Sequence, residues 1–224
     1  MSTNSQRTER RAHALSKPRI VDAAIEILDS RGENALTFRA LAARLSTGSG
    51  AIYWHVANKE DLLAAATEGV IAAAMGNVVD RSEPRDIIRA ISLAVFDAID
   101  AHPWIGTQLT REPWQPAMLH VFERIGVQLQ TLGVPQPAQF NSATALLSYL
   151  LGLAAQYAAG ARLVPYGTDR SAFLTAMAAR WKSQHDPVTY PFVHQVADQL
   201  PWHDDRVQFL AGIDLILAGI GTFR

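Results

Sequence analysis

From Ile20 onward the apolar residues fall at the spacing of one helix face, beginning with Ile20, Ala24, Ile27 and Leu28. No stretch of the chain alternates apolar and polar residues in the way a half-buried strand requires. Prolines punctuate the helical pattern at its joints: Pro84, Pro103, Pro135, Pro137, Pro165, Pro187 and Pro201. The pattern predicts an all-α fold. Helices are expected at about 18–31, 37–45, 49–55, 58–79, 84–101, 104–110, 116–132, 138–162, 169–184, 189–199 and 204–221.

Local signals support the first boundaries. Pro18 suits a first helical turn, and Gly32 suits a C-terminal cap with positive φ. Thr37 suits an N-cap, with Leu36 and Leu41 placed to staple across it. Asn58 suits another, followed by Glu60 and Asp61 where the helix dipole favours acids.

The chain has 224 residues, enough for one large domain or two small ones. With 49% hydrophobic and 18% charged residues it reads as folded and globular. It contains no cysteine, which excludes disulfides, thiolate metal sites, Fe–S clusters and cysteine nucleophiles. That fits a cytoplasmic protein. Met1 to Ser16 is polar and basic, unlike a signal peptide. Ala143 to Ala161 is about long enough to span a membrane, but Thr144, Ser148 and Gln156 interrupt it; a helix buried on several sides is the better reading.

The net charge is −1, which by itself argues against a polyanion partner. Its distribution argues the reverse. Residues 1–60 hold nine bases and six acids, and the remainder holds eleven and fifteen. A head at +3 sits on a body at −4, the asymmetry of a chain with a polyanion-binding end.

The segment Leu36 to Leu63 explains that asymmetry. It places two short helices around the tight turn Ser46-Thr47-Gly48, the pattern of a helix-turn-helix. In such a unit the second helix offers its N-terminal half to base edges in the major groove. Ile52 and Val56 form its inward edge, while Ser49 and Tyr53 share another face. Tyr53, Trp54, His55 and Lys59 are donors suited to phosphate or base contact, and Arg39 has the fork that guanine accepts. Ser46 to Gly50 superficially reads as a phosphate loop, but it lacks the P-loop lysine and the preceding strand.

The run Tyr53-Trp54-His55-Val56-x-Asn58-Lys59, with its upstream spacing, resembles the DNA-binding domain of the tetracycline-repressor (TetR) family. The resemblance covers about 18–70 strongly. It extends more weakly to Phe209-x-x-Gly212-Ile213-Asp214-Leu215-Ile216-Leu217 near the C-terminus. It implies that Arg39 reads bases and that Ser49, Gly50 and Ala51 face them. It implies a base or phosphate position for Tyr53 and backbone-clamping positions for Trp54, His55 and Lys59. Thr37 joins this DNA-contact set. Two residues depart from the family's namesake: Phe38 replaces a hydroxyl side chain and Gly50 replaces a proline. The operator is therefore expected to differ, with readout leaning on Arg39, Tyr53, thymine methyls and DNA shape.

Residues 1–17 form a basic arm that either remains solvated or reaches the minor groove. Residues 18–63 form the DNA-binding domain and 64–224 the body, with the boundary inside the fourth helix. A single small reading head binds weakly, so a homodimer on a double-stranded, pseudo-palindromic operator is expected. Small residues on 138–162 and 204–221 permit close helix approach. The candidate interface is Leu147, Leu151, Gly152, Ala155, Ala159, Leu215, Ile216 and Gly219, and the resemblance implies a four-helix interface from these pairs.

Aromatic residues and isolated polar groups in the body suggest a ligand cavity. The candidates are Phe96, Trp104, Gln108, Trp114, Phe122, Tyr149, Gln156 and Tyr157, with His120 and Gln128 nearby; any one of them could equally be plain core. The histidines lack metal-ligand spacing, so neither a metal nor a cofactor is expected. The sequence thus predicts a ligand-responsive transcriptional repressor, released from its operator by a small-molecule effector. Two alternatives differ in class. One is a DNA-binding dimer governed by a protein partner. The other is a helical enzyme or carrier with a vestigial head, for which no nucleophile motif, cofactor loop or acid pair is present.

Overall fold

The computed structural model describes residues 15–79, 83–163 and 169–223. The basic arm's Arg7, Arg10 and Arg11 lie outside the described residues. Among those described, the structure is helical and contains no strand. Four helices make the head: α1 (Lys17–Arg31), α2 (Phe38–Arg44), α3 (Ser49–Tyr53) and α4 (Lys59–Gly76). The body adds α5 (Pro84–Ala101), α6 (Trp104–Arg111), α7 (Pro116–Thr131), α8 (Gln136–Leu163), α9 (Arg170–Gln184), α10 (Pro191–Ala197) and α11 (Asp205–Ile220).

The expected caps are present. Gly32 ends α1 with φ 72, and its N–H donates to Leu28 O at 2.9 Å. Thr37 Oγ1 accepts from Ala40 N at 3.1 Å, and Leu36 and Leu41 are both buried beside it. Asn58 Oδ1 accepts from Asp61 N at 2.7 Å. A tight turn joins α2 to α3, as expected. Its left-handed residue is Ser46, with φ 52, whereas Gly48 is extended and N-caps α3. Thr47 N donates to Ala42 O and Ser46 N to Ala43 O, so a serine occupies the position where helix ends usually place glycine. A 3-10 turn at Glu33–Ala35 was not expected from the sequence.

One apolar core runs from head to body. Ile20, Ile27, Leu41, Ile52 and Leu62 belong to the same buried cluster as Ile91, Ile105, Leu146 and Phe209. α4 carries that core across the joint, packing on α1 at one end and on α5, α6 and α7 along its length. Arg124 of α7 closes its far end, donating to Met75 O at 2.9 Å, where the helix dipole favours a cation. α5 is the spine of the body, packed by α4, α6, α7, α8 and α11.

The tightest approach in the body is between α6 and α8. A Cβ at Gly106 would lie 2.5 Å from the Ala154 carbonyl oxygen, so glycine lets the two backbones touch. Gly106→Ala is expected to force the helices apart and lower the unfolding free energy by about 1–3 kcal/mol, read by urea denaturation.

Candidate nucleic-acid interface and its link to the body

α3 has only five residues, and tertiary packing, not length, holds it in place. Ile52 and Val56 are buried, as their spacing predicts, and this turns the opposite side outward. Tyr53 is 55% exposed and Trp54 89% exposed, a degree of exposure that makes no sense for core aromatics. His55, Gly50, Thr37 and Arg39 are exposed too, and Ser49 and Ala51 are half-buried. Arg39 has no carboxylate partner among the described residues, so its guanidinium is available. Arg44, by contrast, is paired with Glu26.

Phe38 was noted in the sequence only as a departure from the family pattern. Its ring stacks on Tyr53 with centroids 4.4 Å apart and planes within 3°. That contact ties the start of α2 to the end of α3 and fixes the direction of the Tyr53 hydroxyl. The signal that could have found it is the spacing of two aromatics across the turn.

Lys59 is not placed as the sequence suggested. Its ammonium donates to the Glu33 carbonyl at 2.7 Å, which makes it a brace within the head. Glu33 is held from the body as well. Gln108 Nε2 donates to Oε2 at 3.0 Å and Arg111 Nη1 to Oε1 at 2.9 Å, both from α6. Four residues earlier on the head, Asp29 Oδ1 accepts from Trp104 Nε1 at 2.7 Å and lies 2.7 Å from His102 Nδ1. The start of α6 therefore clamps the end of α1, and its middle and end clamp the turn that leads into α2.

This clamp corrects part of the expected ligand set. Trp104 and Gln108 are buried, but their polar atoms are engaged by Asp29 and Glu33, so they serve the head–body contact. Trp114, Phe122 and Phe140 form a chain of edge-on aromatics near the surface, with Trp114 half exposed. Tyr149 stacks on Phe209 at 5.4 Å and lies where a Cβ at Gly212 would collide with its ring, so it fills the α8–α11 contact. His120 is exposed, on the outside of α7.

Gln156 and Tyr157 do line a cavity, of about 650 Å³, between α5, α8, α9 and the start of α11. Phe96 packs edge-on against Tyr157 at 6.0 Å and lines a neighbouring hollow of about 500 Å³. The sequence reading missed the α9 wall: Arg170, Phe173, Leu174 and Met177. Their spacing, i, i+3, i+4, i+7, is itself a helical face and was the available signal. A larger crease of about 850 Å³ separates α1 from α4 and α5, walled mainly by small aliphatic residues such as Val21, Ala73 and Ala94.

The interface candidates also divide. Leu147 is 1% exposed and turned into the subunit's own core, one position out of phase with the outer face of α8. Leu151 and Ile216 are half-buried. Gly152, Ala155, Ala159, Leu215 and Gly219 are exposed. With Ala145 and Ser148 the outer residues of α8 repeat at alternating three- and four-residue steps, a continuous helix face of small side chains.

Comparison with known proteins agrees with this geometry. The profile described as bacterial regulatory proteins, tetR family, matches residues 20–66. The transcriptional regulator SCO7222, a TetR from Streptomyces coelicolor, is 47% identical with a TM-score of 0.82, over 94% of this chain and 99% of that one. The chain belongs to the TetR family. Its TetR head accounts for the exposed Tyr53-Trp54-His55 run, and it is a DNA-binding transcriptional regulator. An HTH-type transcriptional regulator of Saccharopolyspora erythraea is 30% identical over 62% of this chain, which spans 59% of that relative's length. BioQ, solved with its natural double-stranded DNA operator, is 27% identical with a TM-score of 0.57, over 67% of this chain and 92% of that one.

The clamp gives a direct test. Trp104→Phe keeps an aromatic ring but removes the indole donor, and is expected to cost about 1–3 kcal/mol of stability. The same substitution in an Asp29→Ala background should cost less than half as much. A double-mutant cycle in urea measures that difference; additive losses would mean that the bond contributes nothing.

Proposed function

We propose that the protein is a homodimeric repressor that reads a pseudo-palindromic operator with α2 and α3 and leaves it when a small molecule fills the cavity beside Tyr157. The observation that carries the dimer is the state of α11. With its extension to Phe223 it is long and apolar enough to cross a membrane, yet only 22% of it is buried in the subunit. Leu215 stands 75% exposed upon it. A second copy covers such a face. A membrane reading is disfavoured by Asp214 in the middle of the helix, whose carboxylate accepts from Arg89 of α5 at 2.7 Å. The exposed small-residue face of α8 packs beside α11 and continues the same surface.

The route from cavity to operator runs through three consecutive residues. Pro103 is in the cavity wall, and on either side of it His102 and Trp104 meet the same oxygen of Asp29. A ligand that displaces Pro103 displaces both partners of Asp29, and with them the end of α1. In a dimer this changes the separation of the two reading heads, which must match half-sites about 34–36 Å apart or a multiple of that. The size of the response is bounded by the ligand's differential affinity for the two arrangements.

Genomic fragments selected on the purified protein supply the operator for two measurements. Leu215→Arg is expected to sediment as a monomer with its helical circular dichroism intact. It should bind operator about a hundredfold or more weaker, because the second half-site no longer adds to the first. A variant that remains dimeric would remove α11 from the interface. Arg39→Ala should weaken operator binding by about 1–3 kcal/mol and level the preference at one base position, measured by anisotropy across single-base variants. A uniform loss at every position would make Arg39 a phosphate contact instead.

A further inference from the structure

We infer that the cavity beside Tyr157 selects an aromatic organic cation, such as a protonated amine carried on a flat apolar body. The inference rests on the reading of this cavity as the effector site and adds the chemical class of what it takes.

The walls supply the two halves of that description. Phe173, Leu174 and Met177 of α9 present an apolar face suited to a flat ligand, Met177 adding an adaptable, polarisable side chain. The charged groups lining the same cavity are Asp100 of α5, Asp205 at the start of α11 and Arg170, which begins α9 itself. Arg170 is ion-paired with Asp205, and His203 Nε2 lies 3.1 Å from the other oxygen of that carboxylate. Asp205 is therefore satisfied within the protein. Asp100 is not. It is exposed and has no ion pair among the described residues, and its charge acts on the neutral Tyr157 hydroxyl. Among the described residues, the three formal charges leave one negative charge in excess, and that charge sits on Asp100.

The state of Tyr157 reports the same field. Its phenol is held far above the ordinary phenol range, first by burial and then by the repulsion of Asp100 and Asp205, which outweighs the opposing effect of Arg170. Tyr157 thus remains a neutral donor at any working pH. Among the described residues, the neighbouring hollow that shares Tyr157, Arg170 and Asp205 adds no free arginine or lysine, since Arg206 is engaged by both oxygens of Asp97 at 3.0 and 3.3 Å. An anion entering here would have to pull Arg170 from Asp205. A cation meets Asp100 without breaking an ion pair, and the aromatic faces of Phe173 and Tyr157 add to that attraction.

The test uses one aromatic body with three charges: naphthylmethylamine, naphthylmethanol and naphthoate, titrated calorimetrically against the full-length protein. The amine is expected to bind about tenfold or more tighter than the alcohol, with naphthoate weakest. Asp100→Asn should erase the advantage of the amine and leave the affinity for the alcohol unchanged; Asp100→Glu should keep the advantage. Equal binding of the three probes, or an amine preference that survives Asp100→Asn, overturns the assignment. Each probe is also added to the protein on its operator. An amine that binds through Asp100 without releasing DNA sinks the effector reading and leaves the charge selectivity standing. If no probe binds, the cavity takes no ligand of this size and both fall.

Discussion

Two carboxylates of the head, Asp29 and Glu33, accept hydrogen bonds from four side chains on the body's α6 and the residue pair leading into it: His102, Trp104, Gln108 and Arg111. Without these bonds the head would be attached to the body chiefly through α4, and a single helix leaves the far side of the head free to tilt. The clamp removes that freedom at the end of α1 and at the turn feeding α2. Its polar character matters as much as its position. An apolar contact there could slide continuously, whereas hydrogen bonds of 2.7–3.0 Å are made or broken over a short displacement. A joint of this kind has discrete arrangements, which is what a ligand needs in order to shift one into another.

The reading head shows what remains once the clamp has set its direction. Five residues of α3 cannot persist as a helix in isolation. Burial of Ile52 and Val56 and the face-to-face contact of Phe38 with Tyr53 hold them in place. The packed side of α3 thus does the structural work, leaving Arg39, Tyr53, Trp54 and His55 exposed. Lys59 illustrates the competition between the two tasks. Its ammonium is drawn to the Glu33 carbonyl, so it stabilises the head from within.

Much of this was legible in the sequence, and the parts that were not share a cause. Periodicity and caps are local, so Gly32, Thr37 and Asn58 mark helix ends correctly and Ile52 and Val56 are correctly turned inward. The same reading placed Trp104 and Gln108 in a ligand cavity, because a buried aromatic and a buried amide look alike whether they face a ligand or another helix. What decides between them is a partner 75 residues away in the chain, Asp29 or Glu33, and no local pattern records that. Leu147 failed for a finer reason. On α8 the outer face runs through Ser148 and Gly152, and one position, about 100° of rotation, separates core from surface. The α9 wall was missed although its periodicity was present, since an amphipathic helix announces a buried face without saying whether side chains or a cavity lie beneath it.

That distinction bears on how one fold can serve many effectors. The head is constrained by DNA geometry and by its own small core, and its residues match a family profile over 20–66. The cavity is bounded by residues whose only common duty is to stay on the inner faces of α5, α8, α9 and α11. Asp100 and Arg170 satisfy that duty, and so would side chains of other charge, because neither belongs to the continuous core that holds α5 to its neighbours. Charge at this site can therefore change at small cost to folding, whereas the Asp29 clamp cannot change without loosening the head. On the proposed function, selectivity and transmission would rest on different residues, meeting at Pro103, in the cavity wall between two partners of Asp29.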